Sequence, residues 1–211
     1  MLDTIIKGGG MMIPLMTCSV ITLAVVIDRA VAFYKNHQLD TRALRAQLMR
    51  HLQRGEMREA ALLCVSTPSP VAAVLLAGLQ SYNKLEKRTP ENLRLSVGEA
   101  MEDHSLHSIS AVEKHLWLLQ TIGNAAPLLG MAGTVIGMIA SFEKLGESSD
   151  PKVIGVGISI ALITTAAGLL IALAAVIPHS FFGSRAEEIE LEIGEASSEM
   201  LEFLVHESDK V

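Results

Sequence analysis

The sequence predicts an all-α integral membrane protein with three transmembrane helices, two of them long and extending into a helical cytoplasmic domain. Half of the 211 residues are apolar and only 19% are charged, whereas soluble domains carry about 25% charged residues. The charges also avoid three stretches, residues 8–27, 115–142 and 153–184. Each stretch can span the membrane as a helix, because about 20 residues cross about 30 Å of hydrocarbon.

Composition excludes several other classes of protein. The apolar fraction excludes disorder, and two cysteines are too few for a disulfide scaffold. A net charge of −6 opposes phosphate binding, so no nucleic-acid partner is expected. The rest of the chain is too short to cover three buried helices of a soluble protein. The first stretch could alternatively be a secretory signal with a cleavage site at residues 30–32. Against this, the segment before it contains an Asp as well as its one Lys, and the apolar run is long for a signal.

The distribution of basic residues predicts the orientation of the spans. Between the first and second spans lie twelve of the seventeen basic residues, and positive charge near span ends marks the cytoplasmic side. The N-terminus and the short loop are therefore expected outside, and the middle domain and the tail inside. The predicted segments are an outer N-terminus (1–10), transmembrane helix 1 (11–33), a cytoplasmic helical domain and stalk (34–116), transmembrane helix 2 (117–142), an outer loop (143–152), transmembrane helix 3 (153–178) and a cytoplasmic tail helix (179–211).

The middle domain has the periodicity of helices. Leu44, Leu48 and Leu52 recur every four residues, and Gly55 follows as a typical helix stop. Two further short helices are predicted over 56–65 and 71–82. Thr89 then reads as an N-cap with Pro90 at the first helical position. Because no proline follows until Pro127, the simplest prediction is one helix over 90–142, on the order of 80 Å long.

The tail beyond residue 185 is rich in Glu but carries an apolar stripe at spacings of four and three. Its members are Ile189, Ile193, Ala196, Met200 and Leu204. Such a stripe is typical of an amphipathic helix. Two alternatives remain open: a solvated surface helix, or a helix that packs in an oligomeric stalk against neighbouring subunits.

The second and third spans are rich in small residues. Gly123, Gly130 and Gly137 recur every seven residues, and Gly133 forms a GxxxG with Gly137. Small residues let membrane helices approach closely. Proline removes one backbone hydrogen bond and bends a helix. The predicted helix-packing or bend residues are Pro127, Gly130, Gly133, Gly137 and Gly168.

The same two spans carry a few hydroxyl groups and no charge. Thr134 lies in span two, and Thr164 and Thr165 lie in span three. A membrane threonine usually bonds a carbonyl of its own helix, but positions near mid-depth of two neighbouring helices favour a polar lining. No Asp, Glu, Lys or Arg lies inside the spans; Asp28 and Arg29 lie at the inner end of span one. Since an ion path normally needs an ionisable carrier, either the chain conducts nothing or a partner supplies the carrier.

No catalytic constellation is recognisable. The seven histidines are scattered, both cysteines lack a CxxC context, and no nucleotide-binding glycine loop occurs. We therefore expect no enzyme activity, no metal site and no cofactor.

The spans and the middle domain resemble the MotA/TolQ/ExbB proton-channel family. Residues 126–139, APLLGMAGTVIGMI, are similar to its APLLGLLGTVxGMI segment, and residues 157–169, GISIALITTAAGL, to its GIsxALxxTAxGL segment. In the middle domain, residues 70–79, PVAAVLLAGL, also fit. Three spans and this length resemble the ExbB/TolQ branch, whereas the flagellar MotA branch usually has four spans and a longer chain.

The resemblance implies a bacterial inner-membrane subunit with residues 1–10 and 143–152 in the periplasm. It implies a homopentamer in membrane lipid around two single-span helices of an ExbD/TolR-like partner, whose membrane Asp carries the proton. A TonB/TolA-like protein is a further candidate partner. Thr134 and Thr165 match the family's pore-facing threonines. Ile160 stands where relatives often have Glu, so the acidic relay falls to the partner. Alternatives are a stator subunit for gliding or flagellar-type motility, and a non-conducting membrane scaffold.

Overall fold

The structure is a computed structural model that describes residues 9–37, 41–87, 89–147 and 151–208. Every regular element in these ranges is a helix: α1 (Met12–His37), α2 (Thr41–Gln53), α3 (Met57–Ser66), α4 (Pro70–Lys84), α5 (Pro90–Val112), α6 (Leu116–Glu147) and α7 (Pro151–Ser208). Three of them, α1, α6 and α7, are long and apolar enough to cross a membrane. The predicted all-α membrane fold is confirmed. Parts of the predicted outer segments and tail (1–8, 148–150 and 209–211) lie outside the described residues.

The chain forms two compact units. The first, here called the membrane unit, comprises the described parts of Met1–Ala30 and His115–Phe182. The second, here called the helical unit, comprises the described parts of Val31–Lys114 and Gly183–Val211.

The helical unit has a continuous apolar core. Leu44, Leu48 and Leu52 of α2 are buried, as their spacing predicts. Helix α4 lies deepest, since it buries six of its fifteen residues. The local signals are confirmed as well: Gly55 adopts the left-handed conformation (φ 74°) that ends α2, and the Thr89 hydroxyl accepts a hydrogen bond from the Asn92 amide at 3.3 Å.

The apolar stripe of the tail is buried in the core of the chain's own helical unit. All five stripe residues belong to the same cluster as the buried leucines of α2 and the buried face of α4. Neither open alternative is therefore correct, because the stripe is neither solvated nor left for a neighbouring subunit. One helical face can be buried only once, and the middle domain of the same chain covers it.

The predicted single helix over 90–142 is wrong. Helix α5 ends at Val112, and α6 begins at Leu116. His115 between them has a φ of 67°, a conformation that is uncommon for residues other than glycine. The Glu113 amide still donates to the Ile109 carbonyl at 2.9 Å and closes α5. The break has no glycine or proline, so composition gives no sign of it.

A charged cluster on the surface of the helical unit joins α2 to the tail part of α7. Arg45 donates to Glu195 at 2.8 Å and to Glu199 at 2.8 and 3.0 Å. The hydrogen bond that Arg45 donates to Glu195, assisted by Glu199, raises the pKa of Arg45 above its ordinary value. In the core below, burial raises the pKa of the Cys64 thiol to about 11.

Candidate functional site

The three spans meet in a core built of small and medium-sized side chains. Its buried members are Met12 and Leu15 of α1, Ile122 and Ala126 of α6, and Ala172 and Ala175 of α7. Half-buried residues around it include Cys18, Leu129 and Ala167. Since no large aromatic ring separates the helices in this cluster, their backbones approach closely.

The contact between α6 and α7 is made by glycines. A Cβ atom added to Gly168 would lie 2.6 Å from the Ala126 carbonyl oxygen and 3.1 Å from the Gly130 Cα. A Cβ on Gly130 would lie 3.1 Å from the Thr165 Cα. At these two positions the backbone of one helix fills the space that a side chain would need.

The contact continues toward the far end of α6. A Cβ on Gly133 would lie 2.5 Å from the Thr164 Cγ2, and one on Gly137 would lie 3.3 Å from the Ala161 Cβ. Four of the five predicted packing or bend residues therefore lie at this helix contact. The fifth, Pro127, lies inside α6, which continues through it from Leu116 to Glu147.

The threonine hydroxyls of the two spans have different partners. Thr165 of α7 donates across the contact to the Gly130 carbonyl of α6 at 3.1 Å. Thr134 donates within α6 to the Met131 carbonyl at 2.6 Å. Thr164 is fully buried and donates within α7 to the Ile160 carbonyl at 2.8 Å. The structure thus separates the two neighbouring threonines of α7, because Thr165 bridges the helices and Thr164 fills the space beside Gly133.

Ile160 lines an apolar cavity of about 590 Å³ in the membrane unit. Gly133, Gly137 and Gly157 contribute to its wall, together with Gly9 and Gly10 ahead of α1. The sequence resemblance implies a Glu at this position in many family members. The cavity offers that position an apolar surrounding, which suits the isoleucine that the chain has.

A charged pair lies at the end of the membrane unit opposite the start of α1. Arg29 is 7% exposed and donates to the Asp28 carboxylate at 2.7 Å. His115 Nδ1 lies 3.5 Å from the same carboxylate oxygen. The contact between Asp28 and His115 shows that the turn of α1 that contains Asp28 and the start of α6 lie at the same depth in the membrane unit.

Two polar side chains of α6 were not predicted from the sequence as site residues. Gln120 and Asn124 are exposed on the membrane unit. Their amides carry no formal charge, so a search for ionisable residues passes over them. A search for any hydrogen-bonding group inside an apolar span would have found both.

These features define a multispanning membrane protein whose second and third spans associate through glycine and whose hydroxyl groups lie at or beside the contact. The sequence profile of the MotA/TolQ/ExbB proton channel family matches residues 66–195, more than half of the chain. The chain belongs to this family, and it is an inner-membrane protein of the ExbB/TolQ branch.

Individual relatives agree with this assignment. The chain is 31% identical to the putative biopolymer transport protein ExbB-like 3 of Synechocystis sp., over 84% of this chain and 82% of the relative. It is 33% identical to the putative biopolymer transport protein ExbB-like 1 of the same organism, over 84% of this chain and 68% of the relative. It is 32% identical to the Tol-Pal system protein TolQ of Pseudomonas aeruginosa, over 58% and 56%.

Proposed function

We propose that this protein is the ExbB/TolQ-like subunit of a proton-driven motor in the inner membrane. The motor converts ion-motive force into mechanical work on periplasmic or outer-membrane components, as energised transport or envelope maintenance. The observation that carries the proposal is the pairing of family membership with the α6–α7 contact, where Thr134 and Thr165 supply hydroxyls on two adjoining helices. We propose no catalytic residue.

The proposed partner is an ExbD/TolR-like single-span protein with a membrane Asp. Residues 117–142 and 153–178 contain no Asp, Glu, Lys or Arg, and the cavity around Ile160 is apolar. A proton crossing the hydrocarbon needs an ionisable carrier, which this chain does not supply in these spans. A TonB/TolA-like protein is the proposed recipient of the work.

The proposed assembly is a homopentamer with α6 and α7 around a central cavity. Both helices keep large apolar side chains exposed in the isolated chain, among them Leu128, Ile139 and Leu169. Lipid and neighbouring subunits would cover them in a closed ring. Native mass spectrometry in detergent is expected to give a pentamer, and a monomer or two-fold dimer alone would refute the ring.

The proposed topology places the start of α1 in the periplasm and the end of α7 in the cytoplasm. The basic residues between α1 and α6 favour this orientation. The Asp28–Arg29 pair, with its buried guanidinium, then lies at the cytoplasmic interface, where charged groups reach water most easily.

Valine substitutions test the proposed role of the threonines. Thr134→Val and Thr165→Val keep the shape of the side chain but remove the hydroxyl. The Gly130 carbonyl keeps its place in the α6 backbone ladder when Thr165 changes, and interhelical hydrogen bonds in membranes average about 0.6 kcal/mol. We therefore expect assembly to survive while proton-driven activity falls.

Thr164→Val is the matched control, because its hydroxyl donates within α7 to the Ile160 carbonyl and its methyl group keeps the contact with Gly133. All three variants are measured with the Asp-bearing partner, for activity and for crosslinked assembly. Full activity of both Thr134→Val and Thr165→Val would remove the hydroxyls from the mechanism and favour a non-conducting scaffold.

A further inference from the structure

Gln120 and Asn124 present two amide groups on the surface of a membrane-spanning helix. Both side chains are exposed, and neither amide has a side-chain hydrogen bond to any residue that the structure describes. An amide that leaves water without a new hydrogen bond loses much of its solvation energy. Something other than this chain therefore satisfies these two groups in the membrane.

The depth of Asn124 makes the lipid interface an unsuitable partner. Trp117 is 61% exposed in the first turn of α6, as is typical of aromatic residues at the membrane–water interface. Asn124 lies seven residues further, which is about 10 Å along the helix axis. The long side chain of Gln120 can reach back toward the interface, but the short side chain of Asn124 cannot.

The two amides lie on the same side of α6 as Thr134. At about 100° per residue, Gln120, Asn124 and Thr134 fall within an arc of about 80°. The contact glycines Gly123, Gly130 and Gly137 are centred about 80° from the middle of this arc, and about 40° from its Thr134 edge. The polar stripe formed by Gln120, Asn124 and Thr134 thus lies beside the contact with α7, on a surface that the chain itself leaves open.

The backbone adds one more polar group near Asn124. Pro127 has no N–H, so it cannot donate to the carbonyl of Gly123, four residues back in α6. This carbonyl belongs to the residue next to Asn124. Two side-chain amides and a carbonyl without its usual helical donor therefore cluster within two turns of the membrane span.

We propose that Gln120 and Asn124 line a water-filled vestibule of the ion path, in the half of the membrane nearer Leu116. In the proposed topology this is the cytoplasmic half, and the vestibule gives a proton leaving the carrier at the level of Thr134 a hydrated exit. This inference rests on the proposed function and extends it to residues of the inner half of α6. The occupant is water, because it can hydrogen-bond the open amides whereas an acyl chain offers them no hydrogen bond.

Cysteine labelling tests the water directly. In a chain with Cys18→Ala and Cys64→Ala, Asn124→Cys is compared with Val20→Cys in membranes that contain the complete complex. Val20 is 64% exposed and lies eight residues before Asp28, while Asn124 lies nine residues after His115. Since Asp28 and His115 are in contact, the two cysteines lie at nearly equal depth on different helices.

A cationic methanethiosulfonate reagent that does not cross membranes is applied from the cytoplasmic side. It reacts with thiolate, which forms only in contact with water. We expect Asn124→Cys to react at least about tenfold faster than Val20→Cys, a difference of about 1.4 kcal/mol in barrier. Equal rates, or no reaction at Asn124→Cys, would overturn the vestibule, since depth alone or lipid contact would then explain the result.

Proton flux into vesicles supplies the second measurement. We expect Asn124→Leu to lower flux about tenfold, and Asn124→Ser, which keeps a hydroxyl, to lose clearly less at equal assembly. A wild-type complex without proton flux would refute the proposed function whatever the labelling shows. Normal wild-type flux with an equally active Asn124→Leu would refute only the inference about Asn124.

Discussion

Replacing Gly168 by alanine tests whether the close contact between α6 and α7 holds the membrane unit together. The added Cβ would lie 2.6 Å from the Ala126 carbonyl oxygen, 3.1 Å from the Gly130 Cα and 3.3 Å from the Gly130 nitrogen. All three are backbone atoms, so no side-chain rotation relieves the contact. The helices have to separate locally by at least about 0.4 Å to reach the shortest contacts that real Cβ atoms make.

The expected cost follows from comparison with a second glycine of the same helix. Gly155 also lies in α7 and in the membrane unit, but a Cβ there meets nothing within 4 Å among the residues that the structure describes. Both substitutions gain the higher helix propensity of alanine, about 1 kcal/mol in water. Only Gly168→Ala pays for overpacking, about 1–3 kcal/mol. The difference in stability between the two variants therefore measures the cost of the steric clash at Gly168.

Thermal unfolding in detergent, followed through a native thiol, measures this difference. Cys18 is half-buried against the core of the three spans, so its reaction with a thiol-reactive dye in a Cys64→Ala background reports opening of the membrane unit. At about 2–4 °C per kcal/mol, Gly168→Ala should melt at least about 2 °C below Gly155→Ala. Equal melting temperatures, or a higher one for Gly168→Ala, would show that the contact is loose or easily rearranged.

Three further predictions concern the helical unit and the topology. Ile193→Ala, in the buried tail stripe, should lower the free energy of unfolding by about 2–5 kcal/mol. Arg45→Ala should lower it by no more than about 1 kcal/mol, because the Glu partners of Arg45 are largely exposed. Urea titration compares the two variants, and equal losses of stability would place the tail outside the core. Cys64 should resist a maleimide at pH 7 until the protein unfolds, since its pKa of about 11 leaves little thiolate; fast native labelling would contradict its burial. A cysteine at Ser148, outside the described residues, should react with an impermeant reagent from the periplasm and one at exposed Asn83 only from the cytoplasm; the reverse pattern would invert the proposed topology.

The sequence predicted best where a local cause decides the structure. Thr89 and Gly55 act within one helical turn, so their cap and stop are visible in sequence and are confirmed. The three spans follow from hydropathy over about 20 residues, which also needs no knowledge of distant partners. Leu44 and its companions define a face that is buried wherever the helix packs.

The failures have a common physical origin, which is dependence on residues far away in the chain. The periodicity around Ile193 shows that one face is buried, but the residues that cover it precede it by about a hundred positions. His115 takes a left-handed conformation without glycine, so its local sequence still favours a helix. The side chain of His115 lies near Asp28, again a distant residue.

The threonine hydroxyls of the membrane unit already donate hydrogen bonds within the chain, and this affects how the proposed motor would pass protons. Thr134 and Thr164 satisfy their hydroxyls on their own helices, and Thr165 satisfies its hydroxyl on α6. Such groups can offer lone pairs to water or to a protonated carboxyl without binding an ion tightly, and conduction requires sites that release what they accept. A buried carboxylate at Ile160 would bind a proton far more strongly in its apolar cavity. The proposed division, with weakly binding neutral groups in this chain and the single titrating carboxyl in the partner, lets the proton bind only where its release can be coupled to movement.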